Sequence, residues 1–195
     1  MEAEGRKLAR IIEARGWPSH RPPLLDEVRA LSASMAPVRE RGYLKFDEFL
    51  RLAKLKSSQG MHHVALNESH IVEAVTRIAF SSQLEDERVR IGLLTSLRGV
   101  DIPRASALLC WTHPDRWPVI DRRAWTTLNH LGFVRTGARL ERGSAKQMMR
   151  AYSPKEWVDY VSLVKIASNA MGWSAMEIDQ WLYACDLKDN LDHLN

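Results

Sequence analysis

The residues of this chain best suited to chemistry gather around Asp121. It follows the apolar pair Val119-Ile120 and opens Arg122-Arg123-Ala124-Trp125, so its carboxylate stands at the first turn of a helix whose entry is fixed by Pro118. A carboxylate placed there can stabilise positive charge developing on a substrate, or orient and deprotonate a water. It can equally cap the helix by accepting hydrogen bonds from its first amides. Arg122 and Arg123 beside it suit contacts to phosphate. A second cluster lies in Lys54-Leu55-Lys56-Ser57-Ser58-Gln59-Gly60-Met61-His62-His63, a polar, irregular stretch in which Lys56, Gln59, His62 and His63 offer an ammonium, an amide and two imidazoles for ligand recognition. The two histidines have no acidic or cysteine neighbour at ligand spacing, so no metal is expected. Trp111, Trp117 and Trp125 are large enough to line or support a pocket.

A third feature precedes Asp121 by about twenty residues. Leu94 and Leu97 close the apolar face of one helix, Gly99-Val100 makes a tight turn, and Ala105, Leu108 and Leu109 resume the apolar face of another. A glycine at positive φ exposes backbone amides, and the second helix points its N-terminus the same way. Together they suit a phosphate oxygen, with Arg98, Gly99, Val100, Asp101 and Arg104 as candidate contacts. An ordinary helical corner has the same local form.

Charge supports a polyanionic partner. Residues 88–150 hold 12 Lys/Arg against 4 Asp/Glu, a net +8, while residues 1–87 balance at 13 and 13 and residues 151–195 carry 3 against 7. Each phosphate neutralised by such a block releases counterions and adds affinity that does not depend on base sequence.

The elements that must position these groups are helices. Apolar residues recur at helical spacing over about residues 3–15, 23–41, 46–56, 68–82, 86–97, 102–112, 121–131, 144–151, 154–171 and 174–188, and no alternating run argues for a strand. Asn67 is placed to cap the fourth of these, Asp101 with Pro103 to start the sixth, and Ser153-Pro154 and Ser174 to start the last two. The fold class read from this pattern is all-α, one helical unit over residues 1–195 with two lobes facing each other across a cleft. The 195 residues, 45% of them hydrophobic, suffice for its core. No apolar run approaches the roughly 20 residues that span a bilayer, and the N-terminus lacks the pattern of a signal peptide, so a cytoplasmic protein free of membrane is expected. Cys110 and Cys185 sit among apolar neighbours and read as reduced core residues, without the four cysteines of an iron-sulfur cluster.

The combination of Leu97, Gly99, Val100 and Ala105 with Ile120-Asp121 opening a helix about twenty residues on resembles the helix-hairpin-helix DNA glycosylase superfamily. There a hairpin Leu-x-Gly-Val-Gly-x-x-x-Ala is followed by Val-Asp-x-His or a close relative. The likeness extends over about residues 70–132. It implies double-stranded DNA carrying a modified base as partner, base flipping, and Asp121 as catalytic carboxylate for hydrolysis of an N-glycosidic bond. On that reading Lys56, Gln59, His62, His63 and Trp125 bind the everted base or its sugar, no cofactor is needed, and the protein acts as a monomer. Two positions depart from the family. Asp101 stands where the hairpin's second glycine belongs, where its carboxylate either repels phosphate or folds back as a helix cap. Pro103 and Arg104 occupy the place of the Schiff-base lysine of bifunctional members, so release of the base without strand cleavage is expected. The excised base could be oxidised, alkylated or mismatched, or a hypermodified phage base such as glucosylated 5-hydroxymethylcytosine removed in anti-phage defence. A helix-hairpin-helix module that binds DNA without chemistry, and a helical scaffold that binds protein through its acidic last third, are the competing readings.

Overall fold

The computed structural model describes residues 1–18, 24–134 and 151–186, and these form an all-α protein. Eleven helices are present among the described residues: α1 (Glu2–Arg15), α2 (Leu24–Ser34), α3 (Ala36–Arg41), α4 (Phe46–Lys56), α5 (Met61–Val64), α6 (Ser69–Phe80), α7 (Glu87–Thr95), α8 (Ile102–Thr112), α9 (Arg122–His130), α10 (Pro154–Met171) and α11 (Ala175–Cys185). The helix expected over 144–151 lies, but for Ala151, outside the described residues, and Ala151 itself is not helical.

Local chemistry sets the boundaries. Ser153 and Ser174 each accept a hydrogen bond from the amide three residues on, and Glu156 and Glu177 reach back in capping boxes, as serines at those positions predict. The helix expected over 23–41 is instead two, broken at Met35, because Pro37 at the start of α3 cannot supply the amide that a continuous helix would need. The loop expected over 57–66 contains the single turn α5, entered through Gly60. Asn67 does not cap α6; Glu68 holds that position, and the Asn67 side chain is engaged elsewhere.

α8 forms the centre of the molecule. All of its residues from Arg104 to Thr112 are buried, and α2, α3, α4 and α7 pack around it. α10 joins this half to the rest by packing on α7, α11 and α1, while α9 lies against α11. The α1–α10 contact explains a glycine in mid-helix, where it is intrinsically unfavourable: a Cβ on Gly5 would lie 2.4 Å from Cβ of Ile166. Trp117, Trp157 and Trp181 are fully buried, and the Trp181 indole donates to the Gly16 carbonyl at 2.7 Å, fastening the end of α1 to α11. Cys110 and Cys185 are buried and free. No helix among the described residues is long and apolar enough to cross a membrane.

Candidate active site

The segment before α9 is fixed from below. Val119 and Ile120 are buried, and the Ile120 amide donates to Oγ of Ser106 on α8 at 3.1 Å. Asp121 then takes extended backbone as the N-cap of α9, with Oδ1 accepting from the amides of Arg123 at 2.9 Å and Ala124 at 3.1 Å. Its other oxygen, Oδ2, lies 3.4 Å from Nζ of Lys56 at the last turn of α4. The two side chains are 21% and 19% exposed, so the pair is shielded yet reachable from solvent. Capping and charge pairing therefore use different oxygens of one carboxylate.

Under this pair lies a group that the sequence reading passed over. Asp179 on α11 is 3% exposed, and the Tyr160 hydroxyl on α10 donates to its Oδ1 at 2.5 Å. Burial, reinforced by the negative charge of Asp121, pushes the Asp179 carboxyl up to about 8, against the pull of the Tyr160 hydroxyl, Lys56 and the Val119 amide. A carboxylic acid held neutral thus neighbours a carboxylate paired to an ammonium. Burial and then Asp179 raise Tyr160 and Cys110, and burial and then Asp121 raise Tyr152. The signal for Asp179 was available: it shares an apolar stripe with Ala175, Ile178 and Leu182, where a lone acid is out of place.

Trp125, one turn after Asp121, is buried and meets the rings of Tyr152 and Tyr160 edge-on at 5.5 and 6.5 Å. With Tyr160 and Phe133 it walls a cavity of about 280 Å³, whose lining does not include Asp121 or Lys56.

The hairpin forms between α7 and α8. Gly99 has φ +73°, and a Cβ there would lie 2.9 Å from the Val64 backbone nitrogen, so the turn is seated directly on α5. Asn67 clamps the turn by accepting from the Arg98 amide at 2.8 Å and donating to the Arg98 carbonyl at 2.9 Å. This bidentate clamp was not foreseen. Asp101 folds back as the N-cap of α8, accepting from the Arg104 amide at 2.9 Å. The Gly99 amide has no hydrogen-bond partner among the described residues, and Val100 is buried beneath it.

Arg104 is placed differently from expectation. It is 6% exposed, and its guanidinium donates to the carbonyls of Gly99, Gln59 at 2.8 Å, Ser57 at 3.2 Å and Ala53 at 3.4 Å. It is therefore turned away from any phosphate and instead ties the hairpin to the end of α4 that carries Lys56. Its neighbour in the basic block, Arg90, is likewise buried on the carbonyls of Ala79, Ser81 and Leu84. Arg98 and Arg122 are exposed. Arg123 is half-buried, donating to the Asp186 carbonyl at 3.2 Å and lying over the Tyr183 ring. Of the polar stretch, Lys56 alone meets Asp121. Gln59, His62 and His63 are exposed, the two imidazoles 3.9 Å apart on α5 beside the hairpin. Five of the basic residues, Arg135, Arg139, Arg142, Lys146 and Arg150, lie outside the described residues. Among the described residues no cluster of His, Cys, Asp or Glu could hold a metal ion.

No protein-family model, curated protein or solved structure matches the chain.

Proposed function

We propose that this chain is a monofunctional DNA glycosylase of the helix-hairpin-helix type, which everts a modified base from double-stranded DNA and hydrolyses its N-glycosidic bond to leave an abasic site. The observation that carries the reading is the division of labour at Asp121: Oδ1 is held by the α9 amides, while Oδ2 stands at a partly exposed position beside Lys56. Loss of a base builds positive charge on the deoxyribose, and a carboxylate locked in orientation stabilises that charge and aligns the attacking water. The hairpin supports the reading with the Gly99 amide, which has no hydrogen-bond partner among the described residues, and the exposed Arg98, both of which suit a phosphate contact. Lys56 acts as the charge partner of Asp121, and the base is released without an imine. The protein acts as a monomer in a cleft between its two halves, on a hypermodified phage base such as glucosylated 5-hydroxymethylcytosine or on a damaged base.

The test is incubation with DNA from modified phages and with oxidised or alkylated plasmid, followed by mass spectrometry of released bases. Release that is lost in Asp121→Asn while DNA binding persists supports the reading. Salt-sensitive binding without any release in the intact protein would assign a non-catalytic DNA-binding module, in which Asp121 serves as a helix cap.

A further inference from the structure

We infer that Asp179 is a positioning residue for Asp121, acting through Lys56 and the Val119–Asp121 segment without touching substrate. The inference rests on Asp121 being the reactive carboxylate, and its test separates the two. Three features carry it. First, Asp179 occupies the apolar stripe of α11, where an acid costs stability that a leucine would not. Second, it is the point at which the elements of the site converge: Tyr160 from α10 donates to it at 2.5 Å, and the Cys110 thiol of α8, the Lys56 ammonium of α4, and the Val119 amide and Asp121 at the entry to α9 lie within its electrostatic reach. Third, Lys56, paired with Asp121 at 3.4 Å, lies near enough to buried Asp179 for its charge to act on that carboxyl as well, so a charge appearing on Asp179 alters the hold of Lys56 on Asp121.

Neutral Asp179 leaves Lys56 to Asp121. An ionised Asp179 competes for that ammonium and sets a second negative charge beside the first, disturbing the orientation of Asp121. Burial puts this change at about pH 8, so base release should fall as pH rises through that value.

The test is steady-state base release between about pH 6 and pH 9.5, with the Asp121 carboxyl carbon followed by NMR over the same range. In the intact protein kcat falls through the alkaline limb and the Asp121 resonance shows an inflection near pH 8. Asp179→Asn, an uncharged isostere, abolishes both the alkaline limb and the inflection. Asp179→Leu lowers kcat by about 10- to 100-fold at constant KM, the cost of a misplaced catalytic group. Tyr160→Phe removes a hydrogen bond that favours the charged form and moves the limb to higher pH, which gives a readout even where an Asp179 variant fails to fold. An Asp121 resonance without the inflection, or one that persists in Asp179→Asn, overturns the inference whatever the activity. If Asp121→Asn releases base as fast as the intact protein, the glycosylase reading of Asp121 fails instead.

Discussion

Lys56 Nζ lies 3.4 Å from Oδ2 of Asp121, joining the last turn of α4 to the N-cap of α9 across 65 residues of sequence. Each partner sits where its charge suits its helix, the cation at a C-terminus and the carboxylate at an N-terminus, so the backbone dipoles reinforce the pair. The pair is a fixed electrostatic element on a partly exposed surface, and Arg104 braces the chain on the Lys56 side through the Ser57 and Gln59 carbonyls.

Asp121→Asn tests the carboxylate without removing the cap, since asparagine is as good at an N-cap as aspartate. Base release should fall by at least about 100-fold, as for loss of a general base or a charge-stabilising group, with the urea midpoint little changed. Asp121→Ala should lose release and in addition about 1 kcal/mol of stability. Equal release by both variants and the intact protein would remove Asp121 from the chemistry.

Borohydride reduction in the presence of abasic or modified duplex should leave no covalent protein–DNA adduct, because Lys56 is engaged as the ion-pair partner of Asp121. Denaturing gel analysis reads this directly. An adduct lost in Lys56→Met would make Lys56 the amine of a strand-cleaving enzyme and overturn the monofunctional assignment.

Gly99→Ala should cost about 2–3 kcal/mol in urea unfolding, because the residue is at φ +73° and the new methyl meets the Val64 backbone. Asn67→Ala should cost about 1–2 kcal/mol by releasing both polar groups of Arg98. DNA affinity should fall in both, since each change loosens the same turn.

How far the sequence disclosed all this depends on the range of the interaction. Asp101, Ser153 and Ser174 each act on the amide three residues on, and their roles as caps were legible from spacing alone. Asp121 was legible as a carboxylate at a helix start, but its pairing with Lys56 was not, because that contact exists only once α4 and α9 are brought together by α8. Asn67 was assigned a local cap when its amide instead spans 31 residues to Arg98. Arg104 reads from the sequence as a phosphate contact because guanidinium groups are mostly exposed; the fold instead aims at its side chain the Gly99, Ser57 and Gln59 carbonyls, which have no backbone partner among the described residues, together with that of Ala53 at the end of α4.

Arg104→Lys therefore separates structure from DNA contact. A lysine cannot reproduce the fork, and stability should fall by about 3 kcal/mol while the dependence of DNA binding on log salt keeps its slope. Arg98→Ala and Arg122→Ala should each lower the magnitude of that slope by about 1, and Arg98→Ala should do so with stability nearly constant. Fluorescence anisotropy on a labelled duplex at several salt concentrations distinguishes the two patterns. A flatter slope in Arg104→Lys would show its guanidinium reaching phosphate after all.

His113 sets an acid limit on the fold. Its ring lies between Phe80 and Trp117, at 5.2 and 5.3 Å, with Nδ1 2.9 Å from the Thr112 hydroxyl. Burial, followed by the charges of Arg116, Arg39 and Arg90, brings it down from 6.5 to about 4. Between those values the unfolded chain binds the proton and the folded one does not, so acidification favours unfolding. The stability that neutral His113 allows is whole above about pH 6.5 and is lost as pH falls toward 4. The loss is at most about 2 kcal/mol, since solvent at the partly exposed ring screens the arginines. His113→Gln cannot take up the proton. Urea unfolding between pH 7 and pH 4.5 should therefore show the intact protein losing more stability than the variant, with the gap opening below about pH 6.5. Parallel pH profiles would mean that His113 is protonated in the folded protein as readily as in the unfolded chain.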